Sequence, residues 1–305
     1  MRLIVMGQQA FGKSALETIL DAAKDEVIAV YCAPDKDGRV DPIKEFALEK
    51  GLTVMQPANF EDKGVLDEMR ALKADLCVMV YVVIFVPGEA RNIPTHGSIC
   101  FHPSLLPLHR GPSSINWPII WGATKTGLSY FWPDDGLDEG KILLQKEIEI
   151  GPDDTIGSVY FDKVFPLGLA ATLEAIDLVR AGAPPKQVQE HSMATYEGWC
   201  NKQVAEIDWN RSVGEIYNLI RGCNPQPGAW TTFNGEVLQI FDCEKKNQAY
   251  GRTGRVSAIT EDGIIITAGL GSIVAKRVRF AGGKKVPATE FAAEVGLGQG
   301  AKLAS

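Results

Sequence analysis

The sequence predicts an α/β protein with a doubly wound, mostly parallel sheet over residues 1–182, a connecting stretch over 183–206 and a small β-barrel over 207–305. Three observations carry that reading. Short apolar runs alternate with stretches of helical spacing through the first half, as in crossover units that build a parallel sheet. The runs are continuous and rich in β-branched residues, which suits strands buried on both faces. The last third breaks instead into short strands separated by glycine or Asn-Gly turns, the pattern of a closed antiparallel domain.

Taken in order, Leu3 to Met6 is an apolar strand ending at Gly7, and Leu16, Ile19 and Leu20 mark a helix over Ser14 to Ala23. Val27 to Tyr31 is a second strand, followed by the loop from Ala33 to Arg39 and a helix over Ile43 to Glu49. Leu52 to Met55, a helix over Lys63 to Leu72 and a long β-branched strand over Asp75 to Val83 come next. After the strand Gly97 to His102, a helix is expected over Ser114 to Trp121, strands over Gly127 to Trp132 and Ile142 to Ile150, and a long helix over Thr155 to Ala181. Asp153 or Asp154 suits the cap of that helix and Gly182 its stop. Ala183-Pro-Pro-Lys then opens the linker-like region. The tail carries a helix over Val213 to Arg221 and strands over Val237 to Phe241, Gly254 to Ile259, Gly263 to Ala268 and Ser272 to Val278.

Charge narrows the function classes. With 31 Lys and Arg against 38 Asp and Glu, the net charge is −7, so the chain has no general attraction for nucleic acid or anionic lipid. From Ile207 onward there are 12 basic and 9 acidic residues, a net +3, against 19 and 29, a net −10, before it. The six cysteines are scattered singly without Cys-x-x-Cys or His at ligand spacing, which fits reduced thiols and no metal. No apolar run reaches the ~18 residues of a membrane span, and the first apolar run is too short for a signal peptide, so a cytoplasmic protein is expected.

The stretch from Gly97 to Gly111 is where chemistry is expected. It is an apolar strand stopping at His102 in a loop shaped by Pro103, Pro107 and Gly111. Ligands of open α/β sheets bind beyond the carboxyl ends of strands, which favours a titratable group placed there; the alternative is a loop histidine that only bonds a backbone carbonyl. The carboxylates Asp134, Asp135, Asp138 and Glu139 follow the next strand without the spacing of a calcium loop. One of them beside His102 would favour an imidazolium able to stabilise an oxyanion, the carboxylate taking a proton directly or through water. Cys100 shares the side of the strand with His102 and is either a nucleophile or an inert buried thiol. Ser104 lacks the G-x-S-x-G elbow of a serine nucleophile. Gly7 to Ser14 satisfies the phosphate-loop pattern, but no apolar strand ends in the magnesium-binding Asp that phosphoryl transfer needs.

His102-Pro-Ser-Leu-Leu-Pro-x-His-Arg-Gly111 together with Asp134-Asp-Gly-Leu-Asp-x-Gly140 resembles the folate-dependent formyltransferase family. Pro34-Asp-Lys-Asp-Gly, Ile115-Asn-Trp117, Leu143-Leu-Gln-Lys-Glu147, Pro152-Asp-Asp-Thr155 and Ala194-Thr-Tyr-Glu-Gly198 are most similar to the amino-terminal hydrolase domain of 10-formyltetrahydrofolate dehydrogenase. The likeness spans the whole chain, and its tail resembles the carboxyl-terminal domain shared with methionyl-tRNA formyltransferase.

The resemblance implies a formyltransferase-like Rossmann sheet with an OB-like barrel, 10-formyltetrahydrofolate as co-substrate and a catalytic pair in His102 and Asp138. It implies a folate slot lined by Val80, Tyr81, Val82, Val83 and Phe85 and by Ser104, Trp132, Asp134, Asp135 and Leu137. One position departs from the transferases of the family, where an Asn two residues before the histidine also contacts the formyl oxygen; here it is Cys100, a weak donor, as in the hydrolase domain. The acceptor implied is water or an unidentified small molecule. Amine acceptors (methionyl-tRNA, a sugar nucleotide, hydroxyornithine) are the second expectation, although the loop Ala33 to Asp41 is mixed in charge where a tRNA partner would suit a basic insertion. The third is a folate-binding subunit that hands formyl to a partner protein.

Overall fold

The computed structural model describes residues 1–303. The first strand, β1 (Arg2–Gly7), buries every residue from Leu3 to Gly7. It ends at Gly7, where a side chain would come within 2.3 Å of the Val80 carbonyl, so only glycine fits. The helix α1 (Gln9–Ala22) begins five residues earlier than helical spacing alone indicates. Its first backbone N–H is taken by Asp41, whose carboxylate oxygens accept from Gln9 N at 2.9 and 3.1 Å. The same carboxylate caps α2 (Pro42–Glu49), accepting from Ile43 N at 3.0 Å.

Between and after these lie β2 (Glu26–Tyr31), β3 (Val54–Met55), α3 (Lys63–Leu72), β4 (Leu76–Val80), α4 (Gly88–Arg91), β5 (Ser98–His102), α5 (Asn116–Ile120), β6 (Lys125–Phe131) and β7 (Ile142–Glu149). The seven strands form one sheet in the order β3-β2-β1-β4-β5-β6-β7. Pairings from β3 through β5 are parallel, and β6 runs antiparallel to β5. This is the doubly wound sheet the sequence predicts, with the strand order reversing direction at β1 and β4.

Two differences from the sequence reading matter. The strand expected to reach Val83 stops at Val80, because Tyr81 takes a left-handed φ of 61° that ends the ladder. The long helix after Asp154 is three pieces: α6 (Ile156–Ser158), a π-helical stretch over Val159–Val164, and α7 (Phe165–Arg180). Pro166 lacks an N–H, so the preceding turn has one donor fewer and widens. Its cap is Thr155, in a reciprocal capping box with Ser158, rather than Asp153 or Asp154.

The tail begins with α8 (Val213–Gly222) and continues through β8 (Ala229–Phe233), β9 (Glu236–Ile240), β10 (Cys243–Lys246), β11 (Val256–Thr260), β12 (Gly263–Thr267), β13 (Ser272–Ala275), β14 (Arg277–Phe280), β15 (Lys285–Pro287) and α9 (Ala288–Val295). Its strands make two antiparallel four-stranded sheets, β10-β13-β12-β11 and β15-β14-β9-β8. Both contribute to one core with α8 and α9, including Ile220, Leu238, Ile240, Ile264, Ile273, Val278 and Phe291. The single strand expected over Ser272 to Val278 is two, because at Lys276 the chain leaves one sheet for the other.

The chain forms two compact units. One comprises Met1–Gly111, Gly127–Ile148 and Lys163–Tyr196; the other comprises Pro112–Thr126, Glu149–Asp162 and Glu197 onward. Among the described residues no helix is long and apolar enough to cross a membrane.

Candidate active site

β5 delivers His102 to the end of the sheet with only 7% of its surface exposed. The ring is held at both nitrogens. Nε2–H donates to the His109 carbonyl at 2.8 Å, and Nδ1 faces Asp138 Oδ2 at 3.5 Å. A carbonyl only accepts, so Nε2 carries a proton and the remaining nitrogen is the one turned to the carboxylate. Asp138 is fixed in turn: its Oδ2 accepts from Gly111 N at 2.8 Å, and its backbone sits in the left-handed region with φ 55°.

The loop that carries Asp138 is folded back on itself. Gly140 approaches so closely that a side chain there would lie 1.7 Å from the Trp132 carbonyl, and Trp132 N donates to the Lys141 carbonyl at 2.8 Å. Only glycine fits that approach.

Gln189, in the stretch that reads as a linker, is the anchor of this loop. Its Nε2 donates to the carbonyls of Asp138 and Gly140 at 2.8 and 2.7 Å. Its Oε1 accepts from Arg110 Nε and Nη2 at 3.2 and 2.8 Å. Arg110 is 1% exposed and also donates to the Tyr196 hydroxyl, which donates to Glu139. Sequence patterns give no sign of Gln189, because a side chain that bonds carbonyls fifty residues away leaves no local periodicity.

Cys100 lies two residues before His102, half-buried among residues of two apolar clusters. Burial first, then the nearby charge of Asp138, pushes its thiol well above the ordinary range. It is therefore a neutral thiol rather than a nucleophile at neutral pH.

The other singled-out residues divide into two groups. Tyr81, Val83, Phe85 and Leu137 are exposed on the loops after β4 and β6, with Asp134 and Asp135 also at the surface. Arg91 ties these loops together: Nη1 donates to the Val86 carbonyl at 3.0 Å and Nη2 to Asp135 Oδ1 at 2.5 Å. Trp132 is half-buried, its indole N–H donating to the Pro185 carbonyl at 2.9 Å. Val80 is in one apolar cluster of the sheet, and Val82 packs at the edge of another. Ser104 is fully buried, and its hydroxyl donates to the Leu108 carbonyl at 2.6 Å, which holds the loop after His102.

The phosphate-loop match does not form a loop. Gly7 ends β1, Gly12 and Lys13 lie inside α1, and Lys13 sits over the Phe46 ring at 5.5 Å. Among the described residues no three His, Cys, Asp or Glu side chains gather as a metal site would require.

Comparison with known proteins agrees with this architecture. Residues 1–168 match the formyl transferase family model, and residues 200–296 match the formyl transferase C-terminal domain. The cytosolic 10-formyltetrahydrofolate dehydrogenase of Mus musculus is 37% identical over 308 residues, covering 95% of this chain and 34% of the relative. The chain thus spans about a third of the length of that relative. The methionyl-tRNA formyltransferase of Geobacter sulfurreducens is 34% identical over 309 residues, covering 99% of this chain and 96% of its own. Among solved structures, HypX from Aquifex aeolicus in complex with tetrahydrofolic acid superposes with a TM-score of 0.66 at 18% identity, over 96% of this chain and 47% of that one. The N-formyltransferase from Helicobacter canadensis, in complex with folinic acid and dTDP-3-aminofucose, gives 0.66 at 18% identity over 90% and 98%. With one family model matching more than half of the chain and a full-length relative above 30% identity, the chain belongs to the formyl transferase family.

Proposed function

We propose that the chain takes the formyl group from 10-formyltetrahydrofolate and delivers it to water, giving tetrahydrofolate and formate. The observation that carries this is the His102–Asp138 pair, with Nδ1 and Oδ2 3.5 Å apart and Nε2 committed to a carbonyl. A ring nitrogen facing a carboxylate gives a proton a path between the two groups. That proton is what a tetrahedral intermediate needs. Attack of water on the formyl carbon forms a C–O bond, and the negative charge that builds on the formyl oxygen is stabilised by the protonated pair. Asp138 takes the proton of the attacking water, directly or through a second water, and that proton passes to N10 as the C–N bond breaks.

The exposed apolar side chains of Tyr81, Val83, Phe85 and Leu137 on two loops joined by Arg91 suit a flat ring system, with main-chain groups of those loops as its polar partners. The neighbours recorded with tetrahydrofolic and folinic acid support a folate in that slot. Neutral Cys100 bears on the acceptor: a weak S–H donor in place of an amide removes one oxyanion contact, a loss on the order of 10²- to 10³-fold in other acyl-transfer sites. Slow turnover with water fits that arrangement better than efficient transfer to an amine. The amine reading keeps one observation in its favour, the end-to-end likeness to a methionyl-tRNA formyltransferase.

The test is purified protein with 10-formyltetrahydrofolate and no acceptor, following tetrahydrofolate and formate. His102→Ala and Asp138→Asn are each expected to lower release by about 10²-fold or more while folate binding persists. Binding without release in the unaltered protein would overturn the hydrolase reading in favour of an amine acceptor or a partner protein. Absence of folate binding would overturn the assignment of the slot.

A further inference from the structure

Cys200 and Cys223 are 23 residues apart in sequence, yet their sulfurs lie 3.7 Å from one another. Each is fixed by its own surroundings. Cys200 follows Gly198, whose carbonyl accepts from the Trp117 indole at 2.8 Å, and its own N–H donates to Ser113 Oγ at 3.0 Å. Cys223 caps α8, its N–H donating to the Leu219 carbonyl at 3.0 Å, and its sulfur is sealed within the core of the tail unit. Cys200 is half-buried. One thiol therefore reaches the surface while the other waits behind it.

The contact polarises the two sulfurs in opposite directions. The hydrogen bond from Cys223 holds Cys200 below the usual thiol range, against the opposing effect of its burial. The same bond, with burial added, drives Cys223 far above it. A thiolate-forming sulfur within 3.7 Å of a second thiol is the arrangement in which oxidation at the first can be captured by the second.

We propose that Cys200 and Cys223 are a dithiol oxidation site, with Cys200 attacking a hydroperoxide and Cys223 resolving the product. In the first step the Cys200 sulfur forms a bond to the distal peroxide oxygen and the O–O bond breaks. Sulfur is oxidised to a sulfenic acid, and the hydroperoxide is reduced to water or an alcohol. In the second, the Cys223 sulfur attacks that of Cys200, the S–S bond forms, the S–O bond breaks, and hydroxide leaves with the Cys223 proton as water. The sulfurs must close by about 1.7 Å to reach disulfide length. The site is separate from formyl chemistry and stands whether or not the folate reading holds.

The experiment treats the full chain with hydrogen peroxide, alkylates what remains, and maps peptides without reduction. The expected result is loss of two of the six thiols, a mass lower by about 2 Da, and one linked pair of peptides carrying positions 200 and 223, all reversed by dithiothreitol. In Cys223→Ser the reaction should stop at the sulfenic acid, trapped on Cys200 by dimedone. Should that variant fail to fold, Cys200→Ser decides instead, since it should leave Cys223 reduced under the same treatment. Full alkylation of both cysteines in the unaltered chain, at a peroxide dose that oxidises free glutathione, would overturn the proposal, as would a link to any other cysteine.

Discussion

His102 and Cys100 project from the same side of β5, and their neighbours assign them opposite chemical characters. The imidazole is suspended between a carbonyl and a carboxylate, so it can hold or share a proton. The thiol meets apolar side chains and the field of Asp138, both of which oppose its ionisation. This predicts an order of reactivity toward iodoacetamide. Because only the thiolate reacts, a thiol pushed upward reacts more slowly at pH 8 than an ordinary one and keeps accelerating as the pH rises beyond 9. Cys200, shifted the other way and half-buried, is expected to be modified first and Cys100 among the last. Time-resolved mapping of alkylated peptides checks this, and rapid labelling of Cys100 at pH 8 would contradict it. Both positions stand out in the sequence as candidates because they share a strand end and a motif. The His109 carbonyl and the Gly111 N–H do not, since backbone groups leave no residue type to read.

At the scale of elements, the strands and helices of the first half follow from apolar spacing, and the departures have local causes. β4 stops where Tyr81 turns left-handed, and the long helix contains a π-helical stretch just before Pro166; neither event alters the hydrophobic pattern that predicted a longer element. Similarly, β13 and β14 read as one strand because the corner at Lys276 interrupts the sheet without a glycine or proline to mark it. The segment that follows Ala183-Pro-Pro-Lys was the least legible. It has the composition of a linker, yet Gln189 within it donates to the carbonyls of Asp138 and Gly140 in the Asp138 loop. Gln189→Leu leaves two carbonyls and the Arg110 guanidinium without these bonds. The expected cost is about 1–3 kcal/mol per stranded buried group, read from denaturant midpoints. Formate release should fall as well, because Asp138 loses a support of its left-handed backbone. Gln189→Glu, which keeps the acceptor for Arg110 but loses the donors, should retain part of the stability and little of the rate.

Over the whole molecule the two units interleave along the chain, so neither is a single continuous stretch. α5 is buried through Asn116, Pro118 and Ile119, and Asn116 Nδ2 donates to the Gly222 carbonyl of α8 at 2.8 Å. A fragment ending at residue 206 therefore retains α5 and discards the helix that covers it. Such a fragment is expected to bind a hydrophobic dye and to lose most of its soluble yield, whereas the full chain does neither; a monodisperse fragment with full secondary structure would contradict this. The first crossover has a different consequence. Asp41 occupies the opening N–H of α1 and caps α2 with the same carboxylate, so it is a tethered competitor for any free anion at that position. Because the fold holds this group at that N–H, its binding there is intramolecular. A phosphate arriving from solution would have to outcompete it and leave two helices uncapped, so a sequence pattern that elsewhere invites nucleotides is, in this chain, answered from within.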